Sequence, residues 1–167
     1  MTAAPRKFRR RRSDELTVEQ THDPAIIAPM LEKAGIVVPG AGVSAECFLV
    51  AYQGDNPVGI ACLVTEVDAA LMGAVFVVEN VRRRGVGTRL VSAVRLAAHT
   101  RGARTLYAAV TRASVEYLAR FGFVETTCAA LSSAFGKSRI SEWMRLDEFV
   151  GCKALRLDLS TDGLIER

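Results

Sequence analysis

Hydrophobic and polar positions along the chain divide it into short segments with two different periods. "ELTVEQ", from Glu15 to Gln20, alternates weakly and reads as a first strand. "HDPAIIAPMLEKAG" follows with Asp23 placed as an N-cap, Pro24 at the first helical position and Gly35 as the stop. Pro29 inside that stretch predicts a kink and two short helical turns. "VVPGAGVSA", from Val37 to Ala45, reads as a loop with room for one helical turn. "ECFLVAYQ" and "VGIACLVTEV" are apolar runs separated by "GDNP", which supplies the residues of a hairpin turn. Leu71 to Val78 is a near-continuous apolar run, as expected of a strand buried on both faces.

From Gly85 the period changes to that of a helix. Val86, Leu90, Val94 and Ala97 recur on one side, while Arg89, Ser92, Arg95 and His99 fall on others. Gly102 ends this helix with Arg101 beside the negative end of its dipole. Ala103 to Val110 is the next strand, so the unit is a βαβ crossover and its two strands should run parallel. A short helix over Arg112–Arg120 stops at "FGF". "SRISEWMRLDEFV" predicts a further helix and "CKALRLDLS" a closing strand. The fold class is mixed α/β, of the α+β kind. Its sheet is mostly antiparallel with one βαβ crossover and flanking helices.

Length and charge refine this. A chain of 167 residues fits one domain with a sizeable core. The formal charge of +4 is unevenly spread. "RKFRRRR", Arg6 to Arg12, holds six basic residues; removing them from the 22 leaves 16 against 18 acidic ones. Residues 1–13 therefore form a basic arm of disordered composition, and 14–167 a slightly acidic domain. The arm reads either as a contact for nucleic acid or an anionic surface, or as a solubilising tail.

No apolar stretch approaches the ~20 residues of a spanning helix, and no apolar run follows the arginines as a secretory signal requires. A cytoplasmic protein with no membrane partner is the expectation. Cys47, Cys62, Cys128 and Cys152 include no CxxC pair, so no metal site is expected. Cys47 and Cys62, in apolar runs, read as small buried hydrophobes, and Cys128 as a buried structural thiol.

The chemistry concentrates in "ENVRRRGVGTRLV", Glu79 to Val91. A helix start leaves N–H groups unpaired and carries partial positive charge, and glycines let a phosphate approach them. Arg82-x-x-Gly85-x-Gly87 between a buried strand and a helix has that content. It lacks the G-x4-G-K-[ST] pattern of a Walker loop, and Leu90 stands where a Rossmann fingerprint has its third glycine.

These residues resemble the acetyl-CoA signature of the GNAT N-acetyltransferases, V-x-x-x-x-[QR]-x-x-G-x-[GA], at Val77, Arg82, Gly85 and Gly87. The order of elements and the downstream Gly122-Phe123 extend the resemblance over roughly residues 46–125. It implies a GNAT fold, with acetyl-CoA as co-substrate and a primary amine of a small molecule or amino acid as acceptor. It also implies that the backbone of Arg82, Arg83, Arg84, Gly85, Val86, Gly87 and Thr88 holds the coenzyme A pyrophosphate. By the same resemblance Phe76 and Val77 pair with pantetheine in a splay between strands, and Thr111 caps the next helix or bonds pantetheine; Arg83 and Arg84 read either as contacts to the 3′-phosphate or as solvated charges.

The family's usual thiolate-protonating tyrosine falls at Leu118, with Tyr117 beside it. Tyr117 is thus the candidate acid, set against a plain core aromatic. Glu66 is the candidate base on position, ahead of Asp68. The paired aromatic position also resembles a branch of short amino-acid N-acetyltransferases, although Gly73-Ala74 replaces their usual Arg-Ser. Two other readings stand beside this one: an acyl-CoA-binding protein without turnover, and a protein or peptide N-acetyltransferase. Homodimerisation through the C-terminal strands is a family-level expectation.

Overall fold

The computed structural model describes residues 14–35, 46–135 and 152–160. The described elements are β1 (Leu16–Thr21), α1 (Pro24–Lys33), β2 (Glu46–Gln53), β3 (Asn56–Thr65), β4 (Ala69–Val77), α2 (Val86–Thr100), β5 (Thr105–Val110), α3 (Arg112–Ala119), β6 (Val124–Thr126), α4 (128–135) and β7 (Lys153–Asp158). The strands form one seven-stranded sheet in the order β1-β2-β3-β4-β5-β7-β6. Every neighbouring pair is antiparallel except β4 and β5, which run parallel as the βαβ pattern requires. The basic arm, the loop over Val37–Ala45 and the helix expected for "SRISEWMRLDEFV" lie outside the described residues.

Both faces of the sheet are covered, which is why β2 and β3 read as continuous apolar runs. Cys47, Leu49, Ala51, Ala61 and Leu63 face α2 through its buried Val86, Leu90, Val91, Val94 and Ala98. The alternate residues Phe48, Val50, Ile60, Cys62 and Val64 pack with Met30 and Leu31 of α1 and with Leu131 and Phe135 of α4. Gly59 sets how closely α2 approaches. A Cβ there would lie 2.9 Å from Leu90 Cδ1, 3.0 Å from Phe76 O and 3.1 Å from Val86 Cγ1. The absent side chain lets the first turns of α2 sit directly against the end of β4.

The helix α1 starts as expected, with the Asp23 carboxylate accepting from Ala25 N at 2.9 Å. It runs as one ten-residue helix through Pro29, not as two short turns. Proline removes one intrahelical bond, to the Ala25 carbonyl, and that stretch is solvent-exposed, so water can replace it. Buried Met30 and Leu31 hold the helix on the sheet. β5 begins at Thr105 because Ala103 N still bonds Ala98 O and belongs to the helix end. The polar "VET" strand β6, which carries no apolar period, and the helix α4, capped by Thr127 Oγ1 accepting from Ala130 N, were not anticipated, although Leu131 and Phe135 of α4 stand at helical spacing.

The pairing of β4 with β5 is short. Ala69 to Met72 pair with Thr105 to Ala108, after which the two strands part. β4 continues along β3 as far as Val77 opposite Gly59, and β5 continues along β7 as far as Val110 opposite Lys153. The register of β3 against β4 shifts between Ala61 and Leu63, so β4 carries one extra residue at Gly73-Ala74. A bulge of this kind bends its strand and sharpens its twist. Here it turns β4 away from β5 at the point where the pairing stops.

Candidate functional site

The parting of β4 and β5 opens a cleft of about 770 Å³. Met72 to Val77 line one wall, Ala109 to Thr111 with α3 line the other, and the turn before α2 closes one end. The turn is built in steps. Val78 N bonds Val58 O at 3.0 Å, and a 3-10 turn over Glu79–Val81 tucks Val81 into the core. Arg82 then folds back: its Nε donates to Val77 O at 2.9 Å and its guanidinium lies 6.0 Å from the Phe76 ring centre. Arg82 thereby ties the turn to the strand it has just left.

Arg83 has φ of 63° and Gly85 φ of 82°, both left-handed. Gly85 is the N-cap of α2, and no side chain caps the helix. The N–H groups of Val86, Gly87 and Thr88 therefore have no acceptor within the helix. Left-handed residues at a helix start turn successive N–H groups toward one point, which makes a concave anion site. The two glycines do different work. A Cβ on Gly85 would meet nothing within 4 Å, so glycine is there for its φ. A Cβ on Gly87 would lie 3.1 Å from the Tyr117 hydroxyl, so glycine is there for space.

On the opposite wall, Thr111 is the N-cap of α3 but makes no side-chain cap bond; its Oγ1 lies 3.3 Å from Ser114 Oγ. Tyr117 stacks edge-on against Phe121, with ring centres 5.4 Å apart, and its hydroxyl stands 3.5 Å from Thr88 Oγ1. Leu118 lines the cleft and belongs to the core, only 3% exposed. Arg82, Arg83 and Arg120 supply positive charge to the lining, and no carboxylate is among the described lining residues.

Of the residues singled out in the sequence, Phe76, Val77, Arg82, Arg83, Gly85, Gly87, Thr88, Thr111 and Tyr117 all line this one cleft. Arg84 and Val86 flank it, the first exposed, the second buried under the sheet. Glu66 is not brought there. It stands in the β3–β4 turn, bonding Ala69 O through its N–H at 2.8 Å, at the end of β4 remote from the cradle. Asp68, the other carboxylate considered, uses its carbonyl to hold Arg104 N at 2.7 Å beside the same turn. Ser114, Leu118 and Arg120 were missed as lining residues. The signal was present in the helical spacing of Thr111, Ser114 and Leu118, which puts them on one face of α3.

The thiols divide. Cys47 and Cys62 are buried, and burial pushes the Cys47 thiol up against the opposing pull of the nearby Arg101 charge. Cys128 is exposed rather than buried: it stands at the first residue of α4, ahead of the buried Leu131 and Phe135. Among the described residues no His, Cys, Asp or Glu groups form a metal-binding cluster, and no helix is long and apolar enough to cross a membrane.

A splayed parallel pair with a basic, glycine-built helix start at its open end has the shape and charge to suit a long ligand with an anionic end. The domain family that matches this chain is Acetyltransferase (GNAT) domain, over residues 44–125, about half of its length. Among solved structures, the N-acetylglutamate synthase of Neisseria gonorrhoeae complexed with coenzyme A and N-acetyl-glutamate is similar with a TM-score of 0.67 and 21% identity. That likeness covers 90% of this chain but 36% of the synthase, so the chain spans about a third of the synthase's length. A GNAT-family acetyltransferase from Staphylococcus aureus gives 0.62 at 15% identity, covering 87% of this chain and 100% of that one. A Mycobacterium tuberculosis protein solved in complex with CoA gives 0.60 at 21% identity, covering 81% and 92%. At such identities the likeness is one of fold. No curated protein matches the chain in sequence. The chain belongs to the GNAT family of acetyltransferases.

Proposed function

We propose that this protein transfers the acetyl group of acetyl-CoA to the primary amine of a small molecule or amino acid. The observation that carries the reading is the splay of β4 from β5 ending on the left-handed Arg83–Gly85 turn. In this reading the coenzyme's diphosphate takes the N–H groups at the start of α2, with Arg83 and Arg84 near its 3′-phosphate. The pantetheine arm lies in the splay, where the backbone of β4 from Gly73 to Val77 has no β5 partner and can bond its amides.

The amine nitrogen attacks the thioester carbon, a C–N bond forms, and the carbonyl oxygen becomes an oxyanion. A backbone N–H aimed at that oxygen stabilises it by ~3 kcal/mol. Collapse breaks the C–S bond, the thiolate leaves, and the amine proton passes to water. Leu118 at the floor offers no proton to the sulfur. The thiolate needs none at neutral pH, since a thiol of pKa about 8.5 leaves passably unprotonated. With no carboxylate among the described lining residues, the acceptor amine enters neutral and loses its proton to solvent. Four cysteines with no CxxC pair among them fit a reducing cytoplasm as its place of work.

The apolar floor also supports a second reading, an acyl-CoA-binding protein without turnover. Calorimetry with acetyl-CoA tests what both share: binding by the wild type, lost in Gly87→Glu, is expected, and a wild type that does not bind sinks both. Continuous release of free thiol from acetyl-CoA with a panel of small amines and amino acids then selects the enzyme. Silence across the panel selects the binding protein.

A further inference from the structure

Tyr117 has no part in the chemistry above, yet its hydroxyl is held at a defined place. The ring is fixed edge-on by Phe121 and packs against the core cluster beneath α2. Its hydroxyl reaches from α3 across the cleft to the first turn of α2. There it stands 3.5 Å from Thr88 Oγ1 and 3.1 Å from where a Gly87 Cβ would be. That same Cβ position lies 3.9 Å from Val77 Cγ2, so the hydroxyl sits at the cradle end of β4. The apex of the splay, where Met72 still pairs with Ala108, is five residues back along β4, or about 16 Å at the rise of a strand. A long ligand with its anionic end in the cradle puts its reactive end toward the apex. The Tyr117 oxygen is thus far from the reacting sulfur and close to the anion.

Two hydroxyls, from Thr88 and Tyr117, converge beside the first turn of α2, whose leading N–H groups have no acceptor within the helix. Hydroxyls rotate to donate toward an acceptor, and donation to a charged oxygen is the stronger kind of hydrogen bond. Leu118, one residue further on, turns by about 100° on the helix into the core, so of these two neighbours it is Tyr117 whose polar atom reaches the cradle. We propose that Tyr117 is a diphosphate-binding residue: its hydroxyl closes the cradle from the α3 side, donating together with Thr88 to the coenzyme's diphosphate, and it does not protonate the departing thiolate. The proposal rests on the acetyl-CoA reading of the cleft.

Two donors separate the roles: acetyl-CoA, and S-acetyl-N-acetylcysteamine, which carries the same thioester without the diphosphate. In Tyr117→Phe the ring and its packing on Phe121 are kept. The dissociation constant for CoA by calorimetry should rise roughly tenfold, the lower range for a hydrogen bond to a charged group. Turnover of S-acetyl-N-acetylcysteamine should be unchanged, and kcat with saturating acetyl-CoA should be unchanged. Thr88→Val should repeat the effect on CoA. A cycle with Gly87→Ala adds a readout independent of turnover. Its Cβ crowds the hydroxyl, so it should weaken CoA binding more in the tyrosine protein than in the phenylalanine one. Equal CoA affinity in wild type and Tyr117→Phe overturns the proposal. A loss of kcat with the truncated donor overturns it too and makes Tyr117 the acid. A wild type that fails to bind CoA overturns the acetyl-CoA reading itself, which is a different result from either.

Discussion

The two walls of the cleft are made of different material. On the α2 side the binding surface is backbone: left-handed Arg83 and Gly85, the bare Gly87, and the first N–H groups of a helix. On the α3 side it is side chains, Thr111, Ser114, Tyr117 and Arg120, carried by a helix of eight residues. A backbone surface tolerates exchange of its side chains so long as φ and space are kept. A side-chain surface changes with each residue and with the phase of the helix.

The largest effect should come from breaking the backbone wall. Gly87→Glu puts a side chain and a negative charge where the diphosphate would sit. Loss of CoA affinity by at least about a hundredfold, or ~2.7 kcal/mol, is expected by calorimetry, with little change in thermal stability. Binding within threefold of wild type would mean that the first turn of α2 is not the cradle.

Next is the seat on which that wall rests. Gly59→Ala places a methyl group 2.9–3.1 Å from Leu90, Val86 and the Phe76 carbonyl. Backbone on one side and buried side chains on the other leave little room to give, so a loss of about 1–3 kcal/mol in denaturant unfolding is expected. CoA affinity should fall with it, because α2 lifts away from β4. A variant as stable as wild type would show that the contact of α2 with the sheet relaxes freely.

These two walls were unequally legible in the sequence. Gly85 and Gly87 marked the turn before α2 because a left-handed N-cap favours glycine and a close approach to Tyr117 leaves no room for a side chain, while the left-handed Arg83 gave no such signal. The parallel pair and its crossover followed from the switch of period at Gly85. The α3 wall was only half readable. Ser114 and Arg120 lie at ordinary helical spacing in a segment whose polar residues look like a solvated face. Glu66 stands in the β3–β4 turn at the closed end of the β4–β5 pair and is not among the residues that line the cleft, a placement that its position along the chain does not reveal. β6 was invisible because a three-residue polar edge strand has no period of its own and exists only through its pairing with β7.

A smaller effect tests whether the α3 wall depends on its helix cap. An N-cap threonine replaced by alanine usually costs ~1 kcal/mol. Thr111 makes no cap bond here, and its hydroxyl meets only Ser114. Thr111→Ala should therefore cost well under the usual ~1 kcal/mol in denaturant unfolding, while the KM for acetyl-CoA rises a few-fold if the hydroxyl bonds pantetheine. A full cap-sized loss of stability would place Thr111 in the helix's structure rather than in the cleft.

The smallest expected effect lies off both walls, at the end of β7, and serves as their control. Asp158 pairs opposite Thr105, at the closed end of the β4–β5 pair. Its Oδ1 accepts from Ser160 N at 2.8 Å and from Ser160 Oγ at 2.5 Å, bonds that hold its carboxyl below the ordinary aspartate range. A pKa lowered by folding means that the carboxylate stabilises the fold fully above its unfolded pKa. That contribution is lost as pH falls through the lower folded value. Asp158→Asn removes it, so the stability gap between variant and wild type should be open at neutral pH and close in acid. Urea unfolding across that range measures the gap. CoA affinity at neutral pH should not move, because neither wall touches this turn. A gap that widens in acid would reverse the sign of the shift, and a change in CoA affinity would mean that the closed end of the splay is coupled to its open end.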